Sequence, residues 1–393
     1  MKTKTFLSTL FVGIFLLYSC GGNKQRGTVS LDKNPIIAKR TVNLNGETLI
    51  TCDLSLVKDT IDLPMSFFIS NFELIRLDDN DDALIKENSG DRVSLSENYI
   101  GIASSTGYKL FDRKNGNYIS TLAQRGQGPN EFLISIYDSY IDEKNNRAYM
   151  LPMIGSSIIV SDLQGNVQSP IPLAYRVTKG RFRIDVEKKI VSIAILPFQG
   201  ASAVVWIQDF DGNIIQEIAP GHLALAPDFS NEINVFQNTG QFDFSLFHWI
   251  AKNDTLYHYT ESDNRLQPVF TLTFNENNIP QHDYIELRDY YIVRLIETEP
   301  AYRYLHILLD KETLRGSFFR LKLDMLGSID ASDFLVFNKG YYVDNVYAFQ
   351  LKERLESARN SQKLSEKMKE YIQHLSDNID EDDNNVILIG KLK

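Results

Sequence analysis

Only two cysteines, Cys20 and Cys52, occur in 393 residues, and the six histidines include no pair at H-E-x-x-H spacing. A disulfide framework and a thiolate or helix-borne zinc site are therefore not signalled, because each needs several ligands at set intervals. There is no Gly-x-Ser-x-Gly elbow to expose a nucleophilic serine and no Gly-Lys-Ser/Thr loop to cradle phosphate. Basic excess is missing too: 41 Lys and Arg stand against 51 Asp and Glu, for a net charge of −10. Nucleic acid is thus not an expected partner, since backbone binding needs clustered cations. The acidity reads instead as a solubility feature. Neither a metal nor a cofactor is implied.

The N-terminus supplies the first positive signal. Lys2 and Lys4 precede an almost wholly apolar run from Phe6 to Tyr18, and Leu17-Tyr18-Ser19-Cys20 follows. The run is shorter than the roughly 20 residues that span a bilayer and matches the apolar core of a signal peptide. Residues 17–20 resemble a lipobox, with Tyr18 bulkier than usual. Residues 1–19 are accordingly expected to be a signal peptide and Cys20 the lipidated first residue of the mature chain, anchored by its acyl chains. Removal of Lys2 and Lys4 with that segment leaves a charge of −12. Residues 20–66 are read as lipidated Cys, polar tether and N-terminal extension. With Cys20 modified, Cys52 has no thiol partner within the chain.

From about residue 67 short runs rich in Ile, Val, Phe, Tyr and Leu alternate with Asp/Asn/Gly turns. Tyr108-Lys109-Leu110-Phe111 and Ala203-Val204-Val205-Trp206-Ile207 are examples. This is the pattern of many short antiparallel strands. The turns recur: Asp112-Arg113-Lys114-Asn115-Gly116-Asn117, then Asp162-Leu163-Gln164-Gly165-Asn166, then Asp209-Phe210-Asp211-Gly212-Asn213. Looser echoes fall at Asn253-Asp254-Thr255 and Asp310-Lys311-Glu312-Thr313. Asp112, Asp162 and Asp211 fix a period close to that of a four-stranded propeller blade, roughly 40 to 50 residues. An all-β fold is expected, a six-bladed β-propeller over residues 67–393. A pair of β-sandwiches would share the strand spacing but not the period.

The C-terminus departs once from this rhythm. Leu351, Leu355, Ala358, Met368, Ile372 and Leu375 recur at helical spacing without proline, predicting a helix over about 351–376 inserted in the last blade. The run Val386-Ile387-Leu388-Ile389-Gly390 then reads as a closing strand, completing the blade begun by Phe72-Glu73-Leu74-Ile75-Arg76-Leu77. An open ring would leave strand edges exposed.

Four stretches carry a family resemblance: Phe72 to Asp78, the loop Arg125-Gly126-Gln127-Gly128-Pro129-Asn130-Glu131-Phe132, Asn253 to Tyr257, and Asn385 to Lys393. Residues 67–393 resemble the six-bladed propeller lipoproteins of Bacteroides-like bacteria. The resemblance implies the fold and a cell-envelope address, and no established reaction. It also implies a loop of the form Gly-x-Gly-Pro-Gly-Glu-aromatic, in which Asn130 replaces the last Gly and is expected to adopt the same left-handed backbone. Surface display in such lipoproteins follows acidic residues after the lipidated Cys. Here Lys24 and Arg26 stand there, so attachment at the outer membrane on its periplasmic side is expected over the cell surface.

Candidate chemistry remains divided between ligand and scaffold. Arg125, Gly126, Gly128, Pro129 and Glu131 form either an anion- or polar-ligand loop or a blade-to-blade crossing in which Arg125 pairs with Glu131. His248 and His258 either share a cleft or are satisfied sheet residues. The acidic runs Asp78 to Asp82 and Asp380 to Asp383 either hold Ca²⁺ or are solvated turns. The expected function is a non-catalytic binding or interaction module for a glycan, a peptide or an envelope protein, touching the membrane through its N-terminal lipid only. The alternative is a glycan- or peptide-acting hydrolase or lyase with its site at the central channel.

Overall fold

A computed structural model describes residues 30–44, 46–85, 92–274, 279–297, 303–360 and 364–393. Residues 1–19, read above as a signal peptide, and Cys20 lie outside the described residues. Six sheets follow one another around a closed ring. Blade 1 runs from Val93–Leu95 to Tyr118–Arg125, blade 2 from Ile136–Asp142 to Ile171–Val177, and blade 3 from Gly180–Asp185 to Ile214–Ile218. Blade 4 runs from Glu232–Asn234 to Arg265–Thr273 and blade 5 from Gln281–Glu286 to Gly316–Leu323. Blade 6 is assembled from both ends of the chain. Its inner strands are Phe337–Asn338, Tyr341–Val346 and Val386–Leu392, and its outermost strand is Ile69–Arg76.

There is no single central core. Each of six hydrophobic clusters lies between two neighbouring blades, so every sheet is covered on both faces. Trp206, Phe182 and Ile158 fill the seam between blades 2 and 3, and Phe242, Phe244 and Val205 the seam between blades 3 and 4. An inner strand covered on both sides is buried throughout, as Phe242–Phe247 is, whereas the outer strand Ile214–Ile218 is largely exposed. A lone blade would expose both faces to water, which is why the unit must repeat.

The recurring Asp turns join the third strand of a blade to its fourth. Asp112 Oδ1 accepts the N–H groups of Lys114 and Asn115 at 2.9 and 3.0 Å, and Gly116 follows with φ of 75°. Asp162 and Asp310 work in the same way. In the third copy the acceptor is Asp209, which takes Asp211 N–H and Asn213 N–H, and not Asp211. The Asn253-Asp254 echo is a different feature. It opens a third strand, and Asp254 Oδ2 accepts Leu246 N–H at 2.6 Å.

The closing strand pairs as expected. Val386–Leu392 lies antiparallel to Ile69–Arg76, with Val386 opposite Arg76 and Gly390 opposite Phe72. A Cβ at Gly390 would come within 2.6 Å of the Ile69 side chain, so only glycine fits there. The helical insertion is present but divided into α1, Ala348–Arg359, and α2, Glu366–Asp377. The single helical rhythm missed the break because Ser365 restarts the helix: its Oγ accepts Met368 N–H at 3.3 Å as an N-cap. Leu351, Leu355 and Ile372 bury the pair against blades 5 and 6.

The segment before residue 67 adds strands to the ring. Thr48–Asp53 pairs in parallel with the outer strand of blade 4, Ala38–Val42 pairs onto it, and Thr60–Pro64 pairs in parallel with the outer strand of blade 5. Among the described residues no helix is long and apolar enough to cross a membrane.

Candidate functional site

The central channel is the first place to look in a propeller, and here side chains fill it. Lys339, in the tight turn after the innermost strand of blade 6, reaches Ser139 O at 3.0 Å and Asp138 Oδ1 at 3.4 Å on blade 2, while its N–H donates to Phe236 O at 2.7 Å on blade 4. Asp138 also accepts Phe182 N–H at 2.8 Å from blade 3. Asn238 from blade 4 donates to Glu286 O and Phe337 O, on blades 5 and 6. The space left beside Tyr137, Asp138 and Asn338 is about 10 Å³, room for one water at most.

Acidic groups near the channel are committed to holding blades together. Asp283 forms a two-point ion pair with Arg294, itself 2% exposed, whose Nη1 donates to Leu335 O at 2.8 Å. Glu286 takes His258 Nε2 at 2.5 Å and Lys311 Nζ at 2.6 Å. These partners hold its carboxyl below the ordinary range despite burial, which acts the other way. Asp243 is the exception. Burial pushes its pKa up to about 6, with the charge of Glu286 adding to the effect. It is 1% exposed, so no substrate reaches it.

A cavity of about 440 Å³ lies elsewhere, between blades 2 and 3 at the end of the ring that carries the Asp turns. Its floor is apolar, formed by Ile184, Val186, Ile190 and the ring of Tyr140. Tyr140 is 39% exposed and is backed by Tyr149, ring centroids 6.4 Å apart and planes 25° from parallel. Its rim is charged, and the charges are already matched. Lys144 Nζ meets Glu187 at 2.9 Å across the two blades, Lys188 meets Asp185 at 3.1 Å, and Arg183 pairs with Glu261 of blade 4. Ser192 Oγ donates to Glu261 at 3.0 Å, and Asn145 Nδ2 to Asp142 at 2.7 Å. Burial, with the Asp142 charge beside it, raises the Tyr140 phenol pKa, so the hydroxyl stays protonated and can donate.

The loop singled out in the sequence crosses from the outer strand of blade 1 to the inner strand of blade 2. Asn130 takes φ of 63°, the left-handed backbone expected of it. Glu131 accepts Gly128 N–H at 2.6 Å and Gln124 Nε2 at 3.1 Å, and the first of these contacts leads in lowering its pKa. Gly126 N–H donates to Phe132 O at 3.1 Å. Arg125 Nε turns to Leu133 O at 3.3 Å rather than to Glu131. A Cβ on Gly126 would lie 2.0 Å from the Glu131 carboxylate, so a larger residue there would displace that side chain from its bond to Gly128 N–H. Pro129 sits at the tip. Both glycine N–H groups that an anion would use are thus already bonded.

His248 and His258 do not share a cleft. His248 sits beyond the end of its strand, 3.9 Å from Asp254, while His258 bonds Glu286 nearer the opposite end of the ring. The two acidic runs, 300 residues apart in sequence, do meet: Asp79 accepts Asn384 N–H at 2.6 Å, and Asn384 donates to Asp78 O and Ala83 O. Among the described residues no three acidic, His or Cys side chains are placed to hold a metal ion.

A family model described as "Domain of unknown function (DUF4934)" matches residues 48–391. No curated protein matches the chain. Among solved structures the chain is similar to a Bacteroides fragilis protein named "Putative exported protein", with 14% identity, a TM-score of 0.54, and coverage of 85% of this chain and 99% of that one. A member of the duf4221 family from Bacteroides vulgatus aligns at 9% identity and a TM-score of 0.43, covering 82% and 96%. At these identities the likeness concerns the fold.

Proposed function

The chain belongs to the DUF4934 family of domains of unknown function, and from that membership and the geometry above we propose that it is a non-catalytic binding module held at the cell envelope. The observation that carries the reading is the contrast between the two openings of the ring. The channel is stitched shut, whereas a preformed cavity of about 440 Å³ stays open between blades 2 and 3. That volume is within the range of small-ligand sites, roughly 300 to 1,000 Å³. A hydrolase or lyase working at the channel would need accessible acids, and Asp138, Asp283 and Glu286 are buried and engaged in bonds within and between blades. The Arg125–Phe132 loop serves as the crossing between blades 1 and 2.

The envelope address rests on the N-terminal sequence, and the resemblance to an exported protein of the same fold is consistent with it. In this reading Cys20 carries the lipid and the ring sits on the periplasmic side of the outer membrane, where its partner is a glycan, a peptide or another envelope protein. Cys20→Ala should move the chain from the membrane fraction to the soluble periplasm; an unchanged distribution would refute the anchor. Protease treatment of intact cells should leave the chain whole, and rapid cleavage would place it on the surface instead. Binding is tested by thermal shift of the full chain against glycans, peptides and divalent ions, because a ligand of the folded state raises apparent stability.

A further inference from the structure

We infer that the cavity between blades 2 and 3 binds a neutral saccharide of a few rings, with Tyr140 as the surface on which one ring stacks; this rests on the binding-module reading above.

Three observations converge on that class. First, the aromatic residue lining the cavity is Tyr140, 39% exposed, and Tyr149, its cross-strand neighbour, stacks beside its ring. A flat ring beside polar groups suits a pyranose, whose one face presents C–H bonds and whose edge presents hydroxyls. Second, the rim contributes pairs of donors and acceptors in fixed positions: the Arg183–Glu261 pair with Ser192 on one side, and Asp142 with Asn145 on the other. Carboxylates, guanidinium and amide side chains offer two adjacent atoms each, matching vicinal hydroxyls that both give and accept.

Third, the electrostatics disfavour an ionic ligand. Three cations and four carboxylates line the cavity, and three ion pairs consume all the cations and three of the acids. The fourth acid, Asp142, accepts from Asn145 and lies opposite Arg147 across its hairpin. A phosphorylated or carboxylated ligand would meet a lining with one more acid than cation and compete with carboxylates that already face those cations. A hydroxylated neutral ligand joins the existing pairs without breaking them.

The test uses the full chain purified in mild detergent, with calorimetric titration of short neutral oligosaccharides, their uronic-acid counterparts and short peptides. Binding of at least one neutral oligosaccharide is expected. Tyr140→Ala should weaken it about tenfold or more, as loss of an aromatic anchor does, while Tyr140→Phe, which keeps the ring, should stay within about threefold of the parent. Ser192→Ala serves as a second variant that leaves the Tyr140–Tyr149 stack intact, with a weakening of several-fold expected. Saccharide binding indifferent to both Tyr140→Ala and Ser192→Ala would overturn this site and leave the binding module standing. Preference for peptides or for uronic acids would overturn the saccharide class. A chain that binds no saccharide, no peptide and no envelope protein would bring down the module reading as well.

Discussion

Blades 1–3 and blades 4–6 are built from the same four-stranded unit and are held in place by different means. The first three are plain. Their third and fourth strands are joined by Asp turns that end on Gly116, Gly165 and Gly212, all at positive φ, and the cavity of about 440 Å³ opens between two of them. The other three are reinforced. Blades 4 and 5 carry extra outer strands from residues 38–64, α1 and α2 pack on blades 5 and 6, and blade 6 ties the two ends of the chain together. The Arg294–Asp283 ion pair within blade 5 is buried, whereas the cross-blade Arg183–Glu261 pair at the cavity is about one-third exposed. The difference suggests a division of labour, in which the reinforced half frames the ring and the plain half remains free to present a site.

The comparison can be broken most severely at the closure. Deleting residues 386–393 removes the third strand of blade 6 and opens the ring, and soluble expression should be abolished; a stable truncated protein would count against ring closure. Next come the two arginines. Arg294→Ala leaves Asp283 buried and unpaired, and denaturant unfolding should show a loss of about 3–5 kcal/mol. Arg183→Ala, the same chemical change in the plain half, should cost at most about 1 kcal/mol, since solvent screens the pair. Equal losses would erase the contrast.

A pH titration sharpens it further. Folding raises the Asp243 pKa from 3.8 to about 6 through burial, so the folded chain holds a proton that the unfolded chain releases. The stability this group contributes is complete below pH 3.8 and disappears as pH rises through 6. The fall amounts to about 3 kcal/mol for a shift of this size. Asp243→Asn should flatten the difference between acid and neutral pH over that window relative to the parent. Parallel pH profiles for the two proteins would show that Asp243 titrates normally. The smallest effect is expected at the crossing loop, where both Asn130→Ala and Asn130→Gly lose the side-chain bond to Leu122 O and Asn130→Ala should lose about 1 kcal/mol more for an alanine at positive φ. Equal melting temperatures for the two would contradict that backbone assignment.

The same asymmetry explains what could be read from the sequence. The repeat is visible in blades 1–3 because glycine marks the left-handed position of each turn. In blades 4 and 5 that position falls to Asn264 and Leu314, with φ of 45° and 58°, and the signal fades. The closing strand was legible from its unbroken apolar run, buried from Val386 to Gly390 on both faces. Parallel pairing of Thr48–Asp53 and Thr60–Pro64 was not, because such strands obtain their partners from residues more than 200 positions away. The cavity was invisible for a related reason. Tyr140, Arg183 and Glu261 lie on three blades and form no local motif. Lys339, which plugs the channel from the opposite side of the ring, looks in sequence like any lysine of a Lys-Gly turn.

Amide hydrogen exchange of the full chain tests the division of labour most directly. The account predicts that amides of Gln281–Glu286, Tyr290–Glu297 and Val386–Leu392 exchange only through global unfolding, while those around Tyr140–Asn145 and Asp185–Ile190 exchange through local opening at measurably lower free energy. Uniform protection around the ring, or faster exchange in blades 5 and 6 than at the cavity, would contradict it.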